Sequence, residues 1–145
     1  MKLSTKCRYG LRAMIEIARN FNNAPPLNRK AIAHAQRISK AYLENILISL
    51  REKNLISASR GASGGFALKR RPSAITVLQV VNALEGSIAP VDCLENPAVC
   101  EKAGSCPARK AWWKMHEAQK AALSALSLQD LLDAEASHTD LSYVI

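Results

Sequence analysis

Between Lys53 and Pro72 the hydrophobic period of this chain changes, and that change limits the folds open to it. Before it, apolar residues recur at three- and four-residue steps. Leu11, Met14, Ile15, Ala18 and Phe21 form one helical stripe, with Cys7 a turn earlier, which predicts a helix from near Ser4 to about Asn20. Asn22-Asn23-Ala24-Pro25-Pro26 breaks it. Asn28 can cap a short second helix to about Gln36, with Ile32 and Ala35 facing inward. Ser39 can cap a third, with Tyr42, Leu43, Ile46, Leu47 and Leu50 on its buried side. After Lys53-Asn54 the segments Leu55–Arg60 and Phe66–Lys69 read instead as short strands. Between them, Gly61-Ala62-Ser63-Gly64-Gly65 forms a tip whose glycines permit positive φ or a close backbone approach.

Two short helices with a tight turn, followed by a two-stranded hairpin, spell a winged helix-turn-helix: a mainly α fold with one small β-hairpin. In that motif the first turn of the second helix enters the major groove of DNA. Ser39, Lys40, Ala41, Tyr42, Glu44 and Asn45 stand there. Glu44 is repelled by phosphate yet can accept from a cytosine amino group; its rival role is a plain surface charge. The glycine tip lacks the Lys-Ser/Thr and following helix of a nucleotide-binding loop. It suits a wing entering a minor groove, with Arg60, Gly61, Ser63 and Gly64 at its contact edge, although a simple hairpin loop has the same composition. Lys2, Arg8, Asn28 and Arg51 complete the candidate DNA-contacting set.

The charge supports this division. Residues 1–72 hold fifteen Lys and Arg against three Glu, a net +12, whereas residues 73–145 are net −4. Positive charge confined to one half is the footprint of a nucleic-acid face, because each neutralised phosphate releases a counterion.

After Pro72, Ser73 or Thr76 caps a buried helix carrying Val77, Leu78, Val80, Val81 and Leu84, closed by Gly86. From Pro107 a long helix runs to about Ser124, with Ala108, Ala111, Trp112, Met115, Ala118, Ala122 and Leu126 in one stripe. So long a stripe needs a partner: in part the head, and for the rest a second copy in a two-fold homodimer. Ser127 begins a last short helix with Leu131 and Leu132, and a polar, disordered tail is expected from Ala136. The expected divisions are a DNA-binding domain over 1–86, a cysteine loop over 87–106, dimerisation and short helices over 107–135, and a tail over 136–145. No run of about 18 apolar residues is present and no apolar signal segment follows the N-terminus, so a cytoplasmic protein without membrane contact is expected. No dinucleotide fingerprint, Cys-x-x-Cys pair or Ser/His/Asp constellation speaks for an enzyme.

Several ordered features carry a resemblance. They are Met1–Met14 (MKLSTKCRYGLRAM), the Ser39 helix start with Tyr42-Leu43-Glu44, Arg60-Gly61 with Gly64-Gly65, and three cysteines followed by Trp112. Together they closely resemble the Rrf-two family of bacterial winged-helix regulators, over residues 1 to about 135. The resemblance implies a homodimeric regulator, most often a repressor, on a palindromic double-stranded operator. In the cluster-bearing members the loop cysteines hold a [2Fe–2S] or [4Fe–4S] cluster whose loss, oxidation or nitrosylation changes operator affinity. Those ligands map onto Cys93, Cys100 and Cys106. The chain departs from the pattern in two places. Six residues separate the first two cysteines, where the family usually has five. Arg109 and Arg8 stand where a histidine or an N-terminal aspartate supplies the fourth ligand.

Three thiolates leave one position of an iron–sulfur cluster open. Cys7 is the candidate fourth ligand, and its rival role is core packing on the apolar stripe. His116 and Glu101 are weaker candidates; His34, beside the second helix, and His138, in the tail, look incidental. Zinc suits paired cysteines two to four residues apart better than gaps of six and five. A structural disulfide would leave an odd loop cysteine and is disfavoured in a reducing compartment. A thiol switch without a cluster is open too, since Lys102, Arg109 and Lys110 put positive charge near the thiols. The order of these readings is cluster, thiol switch, zinc.

Overall fold

The computed structural model describes residues 3–23 and 25–141. Six helices and one hairpin follow in order: α1 (Thr5–Arg19), α2 (Arg29–Gln36), α3 (Lys40–Glu52), β1 (Ile56–Ala58), β2 (Phe66–Leu68), α4 (Val77–Glu85), α5 (Pro107–Ser124) and α6 (Leu128–Leu141). Three-residue 3-10 turns at Pro72–Ala74, Asp92–Leu94 and Pro97–Val99 shape the connections. Ser4, Asn28, Ser39 and Thr76 cap the helices after them, each accepting from the N–H three residues on, at 3.0, 2.8, 3.1 and 3.3 Å. Such caps fix where the helices start, each contributing about 1 kcal/mol.

Met14 and Ile17 from α1, Leu43, Ile46 and Leu50 from α3, and Val80 and Val81 from α4 form one core. Each such side chain contributes roughly 1.5–3 kcal/mol by leaving water. Leu128 of α6 is fully buried in the same core. The segment before α6 is stitched to the head as well: Val77 N–H donates to Leu126 O at 2.8 Å and Leu128 N–H to Ile75 O at 2.9 Å. Arg19 clasps Glu16 and Glu135, tying α1 to α6 at the surface.

The strands pair antiparallel with Ile56 opposite Leu68 and Ala58 opposite Phe66. Leu27 adds a third edge, exchanging backbone hydrogen bonds with Phe66 at 3.1 and 2.9 Å. The single bridge carries no alternating pattern, so sequence reading passed over it.

Three expectations need correction. On α2 the inward residues are Ile32, Ala33 and Gln36, and Ala35 is exposed. Residues i, i+1 and i+4 share a face at 100° per residue, and Gln36 is drawn in by donating from Nε2 to Glu16 at 3.3 Å. The expected polar tail is helical to Leu141. Ser127 and Asp130 cap α6, and Leu131 and Leu132 pack on the core, so a nucleated helix extends cheaply into polar sequence. Finally, the seven stripe residues from Ala108 to Leu126 are all exposed, so the stripe is not the face that α5 turns to the head. The face that α5 turns to the head carries His116, Lys120 and Leu123. Trp112, Trp113 and Met115 are 42%, 49% and 43% exposed.

Candidate nucleic-acid interface and cysteine loop

Three residues, Arg37 to Ser39, turn the chain from α2 into α3. Arg37 caps α2 in the left-handed region at φ 52°, ψ 46°. Its N–H reaches His34 O at 3.1 Å, and Ile38 N–H reaches Ala33 O at 3.1 Å, closing the last carbonyls of α2. Ser39 then opens α3, leaving Lys40, Ala41, Glu44 and Asn45 exposed on its first turns.

Tyr42 is half-buried and meets Tyr9 of α1 edge-on, with ring centroids 6.2 Å apart. The Arg12 guanidinium lies 5.5 Å from the Tyr9 centroid. This aromatic contact, with Lys6 Nζ donating to Ser49 Oγ at 2.8 Å, holds α3 against α1. Glu44 is paired with Arg29 of α2. That pairing offsets its repulsion from phosphate and gives it a structural role that the sequence left as one of two options; Arg29 was not among the sequence candidates.

Arg60, Gly61 and Ser63 are exposed at the wing tip, with Gly64 partly covered. Gly61 adopts φ +99°. Gly64 and Gly65 instead let backbone approach backbone: a Cβ on Gly65 would lie 2.6 Å from Leu27 O, and one on Gly64 2.5 Å from Ser59 O. The close approach is therefore to the chain's own backbone. Arg8, Asn28 and Arg51 are also exposed. The Arg8 guanidinium reaches Thr5 Oγ1 at 3.1 Å, while the Asn28 side chain is committed to capping α2. Lys2 lies outside the described residues.

The cysteines are distributed differently. Cys93 is half-buried in the turn Asp92–Leu94, Cys100 is exposed, and Cys106 is half-buried at the N-cap of α5. Arg109 Nε donates to Cys93 O at 3.2 Å, which uses the guanidinium to anchor the loop. Cys106 borders a recess with Ala103, Arg109 and Trp113. All four cysteines are free thiols. Cys7 is packed in the core, where burial and then the adjacent Glu85 carboxylate push its thiol up to about 11. Among the alternative ligands, His116 is buried on the head-facing side of α5 and Glu101 is exposed; His34 is exposed and His138 has no described side chain.

Among the described residues no three His, Cys, Asp or Glu side chains converge closely enough to hold a metal. The loop cysteines are therefore not gathered around one point in this arrangement, so an iron–sulfur cluster there would require the loop to close around it, and Cys7, packed in the core, is not gathered with them.

Comparison with known proteins bears on both parts. The profile of Rrf2, described as an iron-dependent transcriptional regulator, matches residues 3–134. The HTH-type transcriptional regulator CymR of Bacillus subtilis is 39% identical over 140 residues, covering 97% of this chain and 93% of that protein. The solved structure of CymR, the global cysteine regulator of B. subtilis, superposes with a TM-score of 0.76 at 38% identity, covering 92% of this chain and 98% of that one. The structure of T. potens IscR gives 0.75 at 32% identity, covering 93% and 88%. These relatives are transcriptional regulators and not enzymes, their fold is the winged helix seen here, and no described helix is long and apolar enough to cross a membrane. The chain belongs to the Rrf2 (Rrf-two) family of transcriptional regulators.

Proposed function

We propose that the protein is a cytoplasmic, homodimeric regulator that binds a two-fold-symmetric DNA operator as a repressor, with its affinity set by the thiol state of the cysteine loop. The observation that carries the DNA-binding part is the Ser39-capped first turn of α3, which leaves Lys40 and Ala41 exposed with no other element over them among the described residues. A helix presented this way can lie in a major groove while Arg60 on the wing tip follows the neighbouring minor groove. The exposed Trp112, Trp113 and Met115 of α5 support the dimer, since large apolar side chains left open on one helix are buried by an isologous copy. Dimerisation sets the half-site spacing.

For the sensing part, Cys93 and Cys106 flank the loop where it meets α5, and Cys100 is open to solvent. A change at these thiols alters the packing of the loop against α5, and so the angle between two heads. Coupling of this kind is typically about 1–3 kcal/mol. A second reading, a loop-bound [2Fe–2S] or [4Fe–4S] cluster, rests on the three cysteines within fourteen residues and on the iron-dependent description of the family. Bound there, a cluster would add redox and iron sensitivity, with Cys93, Cys100 and Cys106 as its holders.

The test has two stages. Operator sequences are selected from a random duplex library and binding is followed by anisotropy at several salt concentrations. Absence of sequence-selective, salt-dependent binding overturns the regulator reading. The protein is then purified without oxygen and its visible spectrum, iron and sulfide are measured. A colourless protein whose operator affinity changes on thiol oxidation supports the thiol switch; matching iron and sulfide replace it with the cluster.

A further inference from the structure

A cleft of about 650 Å³ opens where the head meets the long helix, away from the reading turn and bordered by the start of the cysteine loop. Its walls are Lys53 and Arg70 from the end of α3 and the base of the wing, Gln79 and Asn82 from α4, Glu95 from the cysteine loop, and His116 and Lys120 from α5. The size lies within the roughly 300–1,000 Å³ typical of small-molecule pockets. Three cations face it against one carboxylate, Glu95.

Two of the cations, Arg70 and Lys120, are held by neighbouring groups. The Arg70 guanidinium is held by donating to Ala74 O at 3.1 Å and to Gln79 Oε1 at 3.4 Å, which occupies two of its five N–H donors. The same Gln79 oxygen accepts from Thr76 N–H at 3.1 Å in the cap of α4, so the side chain that orients Arg70 is itself fixed. Lys120 is steadied by Glu117 at 3.2 Å. His116 supplies an independent observation: it is only 9% exposed, and its Nδ1 has no hydrogen-bond partner among the described residues. A buried polar atom left in that state costs about 1–3 kcal/mol unless a water or a ligand reaches it through the cleft.

None of the three cations is among the candidate DNA-contacting residues, although Arg51 of that set lies two residues before Lys53. Lys53 follows the last residue of α3, a helix of 13 residues, so it sits about 20 Å from the Ser39 end.

We propose that the cleft binds a small anionic metabolite through a carboxylate or phosphate group, with Arg70, Lys53 and Lys120 as its charge partners and His116 as a further polar contact. Because the walls belong to α3, the wing, α4 and α5, an occupant cross-links the head to the long helix and acts as an effector. That regulatory part rests on the DNA-binding reading above; the binding itself does not.

The full-length protein is titrated with inorganic phosphate and, separately, with succinate. Isothermal calorimetry and the His116 ring resonances are the readouts. Saturable binding of either anion that moves the His116 signals supports the site, and the anion preferred tells a phosphate-bearing ligand from a carboxylate-bearing one. Arg70→Gln is expected to weaken binding roughly tenfold or more, the loss of one charge-assisted contact. Lys114→Gln, an exposed cation on the same helix outside the cleft, is expected to leave it unchanged. Failure of both anions to move His116, or equal weakening by the two substitutions, overturns the proposal. With no DNA in the assay, failure here and failure of the operator experiment are separate results.

Discussion

Arg109 donates from Nε to the carbonyl oxygen of Cys93 at 3.2 Å, so one guanidinium ties the beginning of the cysteine loop to the first turn of α5. Charge-assisted bonds of this kind hold more firmly than neutral ones. Arg109→Ala is expected to free the Asp92–Leu94 turn without unfolding the head. Maleimide labelling checks it: Cys93 should react several-fold faster in the variant, while Cys100, already exposed, should not change. An unchanged Cys93 rate would mean that packing, not Arg109, restrains the loop.

The Arg29–Glu44 pair gives a test on the DNA face. Arg29→Ala leaves the Glu44 carboxylate uncompensated beside phosphate, so operator binding should weaken. The double variant with Glu44→Gln should recover most of the loss. Lys40→Ala is expected to cost about 1–3 kcal/mol as a base contact, and Arg60→Ala to lower the salt slope by about 1 as a phosphate contact. Normal binding by Arg60→Ala would remove the wing from the interface.

Gly65 is required by closeness, not by φ. An alanine Cβ there would lie 2.6 Å from Leu27 O and 2.7 Å from Pro26 O, both backbone atoms that cannot rotate aside. Gly65→Ala should destabilise the protein by about 1–3 kcal/mol and loosen the wing. Gly104→Ala, with nothing within 4 Å of the added carbon, is the matched control. Urea melts of both variants decide the matter.

Cys7 makes stability depend on alkaline pH. Burial, reinforced by Glu85, raises its thiol from 9.0 to about 11, so the folded chain holds this proton more tightly than the unfolded chain. The stabilisation is complete below about pH 9 and is lost as pH rises towards 11. Unfolding free energies measured across that window should fall more steeply for the wild type than for Cys7→Ala. Parallel curves would show that Cys7 does not contribute.

The exposed α5 face predicts the oligomeric state. In a two-fold interface each substitution acts twice. Trp112→Ser should therefore cost at least about 3 kcal/mol of association, roughly two powers of ten in Kd. Light scattering during size exclusion should show dimer for the wild type and monomer for the variant at low concentration; a wild-type monomer would remove the dimer from the proposal.

Much of this molecule is local, and its sequence determined those parts. Ser4, Asn28, Ser39 and Thr76 each cap the helix after them, Pro107 opens α5, and the loss of helical period after Lys53 marks the wing, because capping and periodicity act within a few residues. The family was legible for the same reason: its motifs are contiguous. Tertiary structure decided what depends on residues far apart in the chain. It turned Ala33 and Gln36 inward in place of Ala35, drew α6 onto α1, and left the whole α5 stripe uncovered. It also set Cys7 in the core beside Glu85, left no three potential metal ligands together among the described residues, and gathered Arg70, His116 and Lys120 around one cleft. Spacing along a chain reports which residues can share a helix face; only packing reports which faces meet.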